Sequence, residues 1–91
     1  MNSDQSAVDV LDRARVRVLM GEVLAAQGRE LPDDDGADLR GVGFRSLDFS
    51  ELALRVEDEV GVELNFDAPG LRSIRTVGDV LDFLTELASS A

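Results

Sequence analysis

The residue best placed to do chemistry in this chain is Ser46, in the stretch Gly43-Phe44-Arg45-Ser46-Leu47-Asp48-Phe49-Ser50-Glu51-Leu52. Gly41-Val42-Gly43 has the composition of a turn, and a run without Gly or Pro then extends to Val60, so the pattern predicts a helix that starts close to Ser46. A serine in the first turn of a helix sits among backbone N–H groups with no intrahelical partner, at the positive end of the macrodipole. Such a position suits a phosphate. Composition closes most other routes: the chain has no Cys and no His, hence no thiolate, no disulfide, no cysteine or imidazole metal ligand and no Ser–His pair. A serine without a base beside it is a poor nucleophile alone, so Ser46 reads as a residue on which another enzyme acts.

The same stretch resembles the modification site of acyl carrier proteins, whose motif is Asp-Ser-Leu followed by a strongly acidic helix. The matching residues are Ser46-Leu47-Asp48, Glu51-Leu52 and Val56-Glu57-Asp58-Glu59-Val60-Gly61-Val62-Glu63-Leu64. In weaker form the resemblance runs from about Val8 to Leu87. It implies that Ser46 receives 4'-phosphopantetheine from coenzyme A in a phosphopantetheinyl transferase, which supplies the base and magnesium. The protein would then carry acyl groups as thioesters on that arm. It also implies docking of acyl-loading, ketosynthase or acyltransferase-type enzymes, by their basic patches, on Arg45, Leu47, Asp48, Glu51, Leu54, Arg55 and Asp58. One position departs from the motif: the family's Asp before the serine is Arg45 here, which reverses a charge beside the incoming phosphate. A dedicated transferase accepting Arg, direct contact of Arg45 with the diphosphate, and inefficient modification all remain open.

The chain has 91 residues, 44% of them hydrophobic, which is one small domain burying about 60% of its unfolded surface. Nineteen acids against nine Arg, with no Lys, give a net charge of −10. That field repels nucleic acid and anionic membranes and favours basic partners. No segment approaches the roughly 20 apolar residues of a membrane span, and the start Met1-Asn2-Ser3-Asp4 is not a signal peptide, so a cytoplasmic monomer is expected.

Three long helices and one short one are predicted, an all-α, antiparallel four-helix bundle of the acyl-carrier kind with a long first loop. Ser6-Ala7-Val8-Asp9 fits a capping box, and Val16, Leu19, Met20, Val23 and Leu24 follow one helical face, giving a first helix from about Val8 to Gln27, closed by Gly28. Arg13, Arg15, Arg17 and Arg29 on or beside it could tether it to the acidic remainder, although solvated positions are expected for at least two of them. Leu31 to Arg45 reads as a loop held down by Leu31, Leu39, Val42 and Phe44. Its Asp33-Asp34-Asp35-Gly36 cluster does not fit an EF-hand, because Leu31 and Val42 would occupy ligating positions. No metal site is expected, and Gly41-x-Gly43-x-x-Ser46 lacks the strand that a dinucleotide fingerprint requires.

Along Ser46–Val60, Phe49, Leu52, Val56 and Val60 share the core face, while Leu47 and Leu54 fall elsewhere among acids. Asp67-Ala68-Pro69-Gly70-Leu71 allows one short helical turn, with Asp67 as its N-cap. Thr76-Val77-Gly78-Asp79 is a capping box, and Val77, Val80, Leu81, Leu84 and Leu87 give a last helix to about Ala88. Residues 1–6 and 89–91 read as disordered tails. Two other functions compete: a peptidyl or aminoacyl carrier, since such carriers also lack the Asp before the serine, and an unmodified acidic helical adaptor. Among acyl carriers the expected setting is polyketide or other secondary metabolism, or fatty acid biosynthesis.

Overall fold

Asp12 starts the first long helix: its carboxylate accepts the Arg15 N–H at 2.8 Å, and α1 runs Arg13–Ala25. The computed structural model describes residues 11–61, 63, 64 and 68–90. The expected start at Val8 is therefore corrected, because Leu11 and Asp12 are not helical. The Ser6–Asp9 capping box lies outside the described residues, as do Asp67 and the tail at 1–6. Beyond Ala25 the chain turns through Gly28, which takes the left-handed conformation at φ 75°.

The predicted loop from Leu31 to Arg45 is not wholly irregular. Leu39–Val42 forms a helical turn, α2, whose N-cap Asp38 accepts the Arg40 N–H at 2.8 Å. Gly43 closes α2 in the left-handed conformation (φ 84°), donating to Leu39 O at 2.9 Å. α3 spans Ser46–Val60 as the sequence predicts, and α4 is the short helix Ala68–Arg72. α5 spans Val77–Ser90, so Ser89 and Ser90 belong to the last helix and not to a disordered tail. The Ser89 hydroxyl donates to Thr85 O at 3.0 Å. The capping box at Thr76 forms in both directions: Asp79 N–H donates to Thr76 Oγ1 at 3.2 Å and Thr76 N–H to Asp79 Oδ2 at 3.1 Å. A second bond, from Arg75 N–H, joins it, and these backbone donors hold the Asp79 carboxyl below its ordinary range.

α1, α3 and α5 pack against one another. Three pairs, Arg15–Glu59, Glu22–Arg55 and Gln27–Asp48, run in opposite order along α1 and α3 and so set them antiparallel. Arg13 reaches Asp82 and Gly78 O, which puts the start of α1 beside the start of α5. Between the three helices lie Val16, Met20, Val23, Leu24, Leu52, Val56, Val77, Val80, Leu81 and Leu84, all fully buried. Each contributes about 1.5–3 kcal/mol over the exposed side chain. Phe44 is buried, with Leu31, Leu39 and Val42 packed against the core as expected of a loop held from beneath. Phe49 meets Phe83 with ring centroids 6.0 Å apart at 51°.

Arg15 and Arg29 are exposed, as expected of at least two of the four arginines on or beside α1, yet three of the four are also ion-paired. Arg13 Nη1 lies 2.6 Å from Asp35, Arg17 also binds Asp35 and donates to Pro32 O at 2.8 Å, and Arg15 Nε lies 2.6 Å from Glu59. The two guanidiniums, Arg13 foremost, keep the Asp35 carboxyl below the usual carboxylate range, and Arg15 does the same for Glu59. Asp35 is thus the anchor that straps the long connection to α1. Backbone bonds continue the strap, from Gly78 N–H to Asp35 O at 2.8 Å and from Val77 N–H to Ala37 O at 3.0 Å. Among the described residues no acidic group is placed to hold a metal ion, and no helix is long and apolar enough to cross a membrane.

Candidate functional site

Ser46 is the first residue of α3 and is exposed, and its hydroxyl makes no hydrogen bond within the protein among the described residues. Its placement follows from Gly43. The left-handed turn there is one an L-side chain strains to adopt, and it lets Phe44 plug the core while Arg45 and Ser46 emerge at the surface. Arg45 is the N-cap, extended at φ −114° and ψ −179°. A guanidinium has only donors, so it cannot accept from the first turn as an Asp or Ser would. Only the reciprocal half of a capping box therefore forms: Asp48 Oδ2 accepts the Arg45 N–H at 2.9 Å. The hydroxyl of Ser46 thus stands at an electropositive helix start whose leading N–H groups no cap side chain covers.

Arg45→Asp should add that missing acceptor and a favourable charge at the helix start. The expected gain is about 1 kcal/mol, a rise in melting temperature of roughly 4–8 °C for a chain of this size. A melting temperature that stays put or falls would show that the first turn of α3 is already satisfied.

Two grooves flank Ser46. The one on the α1 side, about 740 Å³, is lined by Gln27, Arg29, Arg45, Asp48, Glu51 and Arg55 among others. The other, about 400 Å³, lies toward α2 and α4 and is mostly apolar, with Leu39, Phe44, Phe49, Leu71 and Ile74 beside Arg40 and Arg45.

The residues expected to dock partners separate into two kinds. Leu47 (83% exposed) and Leu54 (59%) stand out in solvent as large apolar side chains, and Arg45, Glu51 and Asp58 are exposed as well. Arg55 is half-buried, 3.3 Å from both Glu22 and Glu51. Asp48 departs from the set. It is buried, and its Oδ1 accepts from Gln27 Nε2 and its Oδ2 from Arg45 N–H, so its carboxylate is turned to the helix start and to the end of α1. Gln27 and Arg29, which line the same groove as Ser46, were not expected at the site from the sequence. Nothing local marks them, because their position depends on how α1 lies on α3.

An exposed, unpartnered hydroxyl at an open helix start, with guanidiniums in the adjoining groove, fits a phosphodiester. The comparisons agree. The family described as "Phosphopantetheine attachment site" matches residues 14–84. The acyl carrier protein of Saccharopolyspora erythraea is 33% identical over 76 residues, covering 82% of this chain and 76% of that protein. The fold is shared with the acyl carrier protein of Thermotoga maritima (TM-score 0.65, 24% identity, 86% of this chain and 92% of that one). It is shared equally with the acetyl actinorhodin acyl carrier protein of Streptomyces coelicolor (TM-score 0.65, 20% identity, 89% and 94%).

The chain belongs to the acyl carrier protein family: it is a carrier and not an enzyme, and its prosthetic group is 4'-phosphopantetheine. When bound, that group supplies a long flexible arm ending in a thiol, the acyl handle that a chain without Cys lacks. Its partners are a phosphopantetheinyl transferase and acyl-processing enzymes.

Proposed function

We propose that Ser46 is the attachment residue and that the protein carries acyl intermediates of a polyketide-type or other secondary-metabolic pathway. The observation that supports the attachment is the exposed Ser46 hydroxyl at the uncapped start of α3. In the transferase, Ser46 Oγ attacks the phosphorus of the coenzyme A diphosphate that bears the pantetheine. The Oγ–P bond forms, the diphosphate P–O bond breaks, adenosine 3',5'-bisphosphate leaves, and the hydroxyl proton passes to the transferase's base. What this chain contributes is position: α3 holds the oxygen clear of the core, and the helix start favours the negative charge brought to it. Arg45 in place of the family's Asp supports a dedicated pathway over a housekeeping one. Loading the arm by candidate pathway enzymes and weighing the product tests this. An acyl mass is expected, and an aminoacyl mass would move the protein to the peptidyl carriers.

The rest of the proposal concerns encounter. Leu47 and Leu54, with Glu51, Arg55 and Asp58 around them and Arg45 at the helix start, form the face that meets partner enzymes, and the net charge of −10 draws basic patches toward it. The chain acts as a monomeric single domain in the cytoplasm, where coenzyme A is at hand. Leu54→Glu should weaken acyl loading by a partner enzyme while moving stability by no more than about 0.5 kcal/mol, since Leu54 lies off the core. Loading rates equal to those of the parent would remove Leu54 from that face.

A further inference from the structure

The nine arginines divide into two groups. Arg13, Arg15, Arg17 and Arg55 are each bound to acids, whereas Arg29, Arg40, Arg45, Arg72 and Arg75 form no ion pair among the described residues. Two of the second group, Arg29 and Arg45, line the α1-side groove that opens onto Ser46. The acids of that groove are already engaged: Asp48 by Gln27 and the Arg45 N–H, Glu51 by Arg55 at 3.3 Å. Arg55 is taken up by Glu51 and by Glu22 beside the groove, so the guanidiniums of that groove without an ion pair among the described residues are Arg29 and Arg45, in a protein that is otherwise strongly acidic. Arg29 also lies close to the start of α3. Its guanidinium rests on the open face of Gly43, where any Cβ would collide with Nη1.

We propose that Arg29 and Arg45 together hold the phosphodiester formed on Ser46, and so fix the root of the prosthetic arm in the groove against the end of α1. The inference rests on the reading of Ser46 as the attachment residue. A guanidinium offers paired N–H donors in the geometry of two phosphate oxygens, and such charge-assisted bonds are roughly twice as strong as neutral ones. The leading N–H groups of α3 point the same way. The groove on the other side of Ser46 carries Arg40 beside Arg45 but is otherwise lined chiefly by apolar side chains, so it offers the arm's root fewer polar partners. The arm's root thus takes the polar groove and leaves the apolar one open.

The test uses the full chain, labelled with nitrogen-15, before and after conversion by a broad-specificity phosphopantetheinyl transferase. Intact mass reports the extent of modification in every sample. On modification the Nε–Hε resonances of Arg29 and Arg45 should move and that of Arg55, already paired, should stay. The movement should shrink in about 1 M salt, where the screening length is about 3 Å. Modification should raise the melting temperature of the parent, and Arg29→Gln should reduce both that rise and the displacement of the Arg45 resonance. Unmoved Arg29 and Arg45 resonances in a fully modified sample would overturn the inference and leave the attachment residue untouched. Movement of Arg45 alone would overturn it too, placing the root in the other groove. A parent that gains no mass at Ser46 would remove both.

Discussion

Incubated with coenzyme A, magnesium and a broad-specificity phosphopantetheinyl transferase, the parent chain should gain the mass of one phosphopantetheine unit, and Ser46→Ala should gain none. The effect is complete because it deletes the only oxygen that the reaction uses. It is also clean. Ser46 is exposed and its hydroxyl makes no hydrogen bond within the described protein, and Ala is the best helix former, so the variant should fold with a stability within about 0.5 kcal/mol of the parent. Ser50 is the instructive control. It is also exposed, but it lies one turn into α3, where backbone N–H groups are taken up by the helix. Modification of Ser46→Ala at Ser50 or any other serine would show that an open helix start is not what the transferase selects.

The second large effect is on stability. Asp48→Ala should strip the acceptor from both Gln27 Nε2 and the Arg45 N–H and remove a negative charge from the start of α3. Both bonds are only part-buried, each worth about 0.5–1.5 kcal/mol, and with the lost charge at the helix start a loss of roughly 2 kcal/mol is expected overall. For a domain of this size that lowers the melting temperature by roughly 8–16 °C. Asp48→Asn keeps an acceptor and should fall between the two. Thermal denaturation followed by circular dichroism gives the comparison. A melting temperature equal to the parent's, together with lost acyl loading, would return Asp48 to the docking face.

Asp48 shows where reading a sequence stops. The motif position and the acidity around it place the residue in the docking set, and it lies in the same first turn as Ser46. Its inward turn depends on Gln27, which is far away in the chain and reaches Asp48 only because α1 and α3 run antiparallel. Arg13 and Arg17 follow the same logic. Their charge suggests tethering, but their shared target, Asp35, follows from the path of the loop across α1. α2 escaped notice because Leu39–Val42 is too short to show a period, and it exists through its Asp38 cap, Gly43, and the Leu39 N–H bond to Arg75 O at 2.9 Å.

Local physics was sufficient for other features. α3 begins at Ser46 and ends at Gly61 because a glycine-rich turn precedes it and a left-handed glycine (φ 78°) follows it, and both signals lie within a few residues of what they control. The capping box at Thr76 and the spacing of Val77, Val80, Leu81 and Leu84 fixed the start and inner face of α5 in the same way. The sequence by itself therefore determined α3 and α5, the apolar faces of the long helices and the placing of one serine at a helix start, since capping, turn chemistry and periodicity act over a single turn of chain. Only the tertiary structure decided which charges are paired, which arginines remain unpaired around Ser46, and which of its two flanking grooves is polar. Those depend on contacts between segments whose separation in sequence carries no trace of their meeting in space.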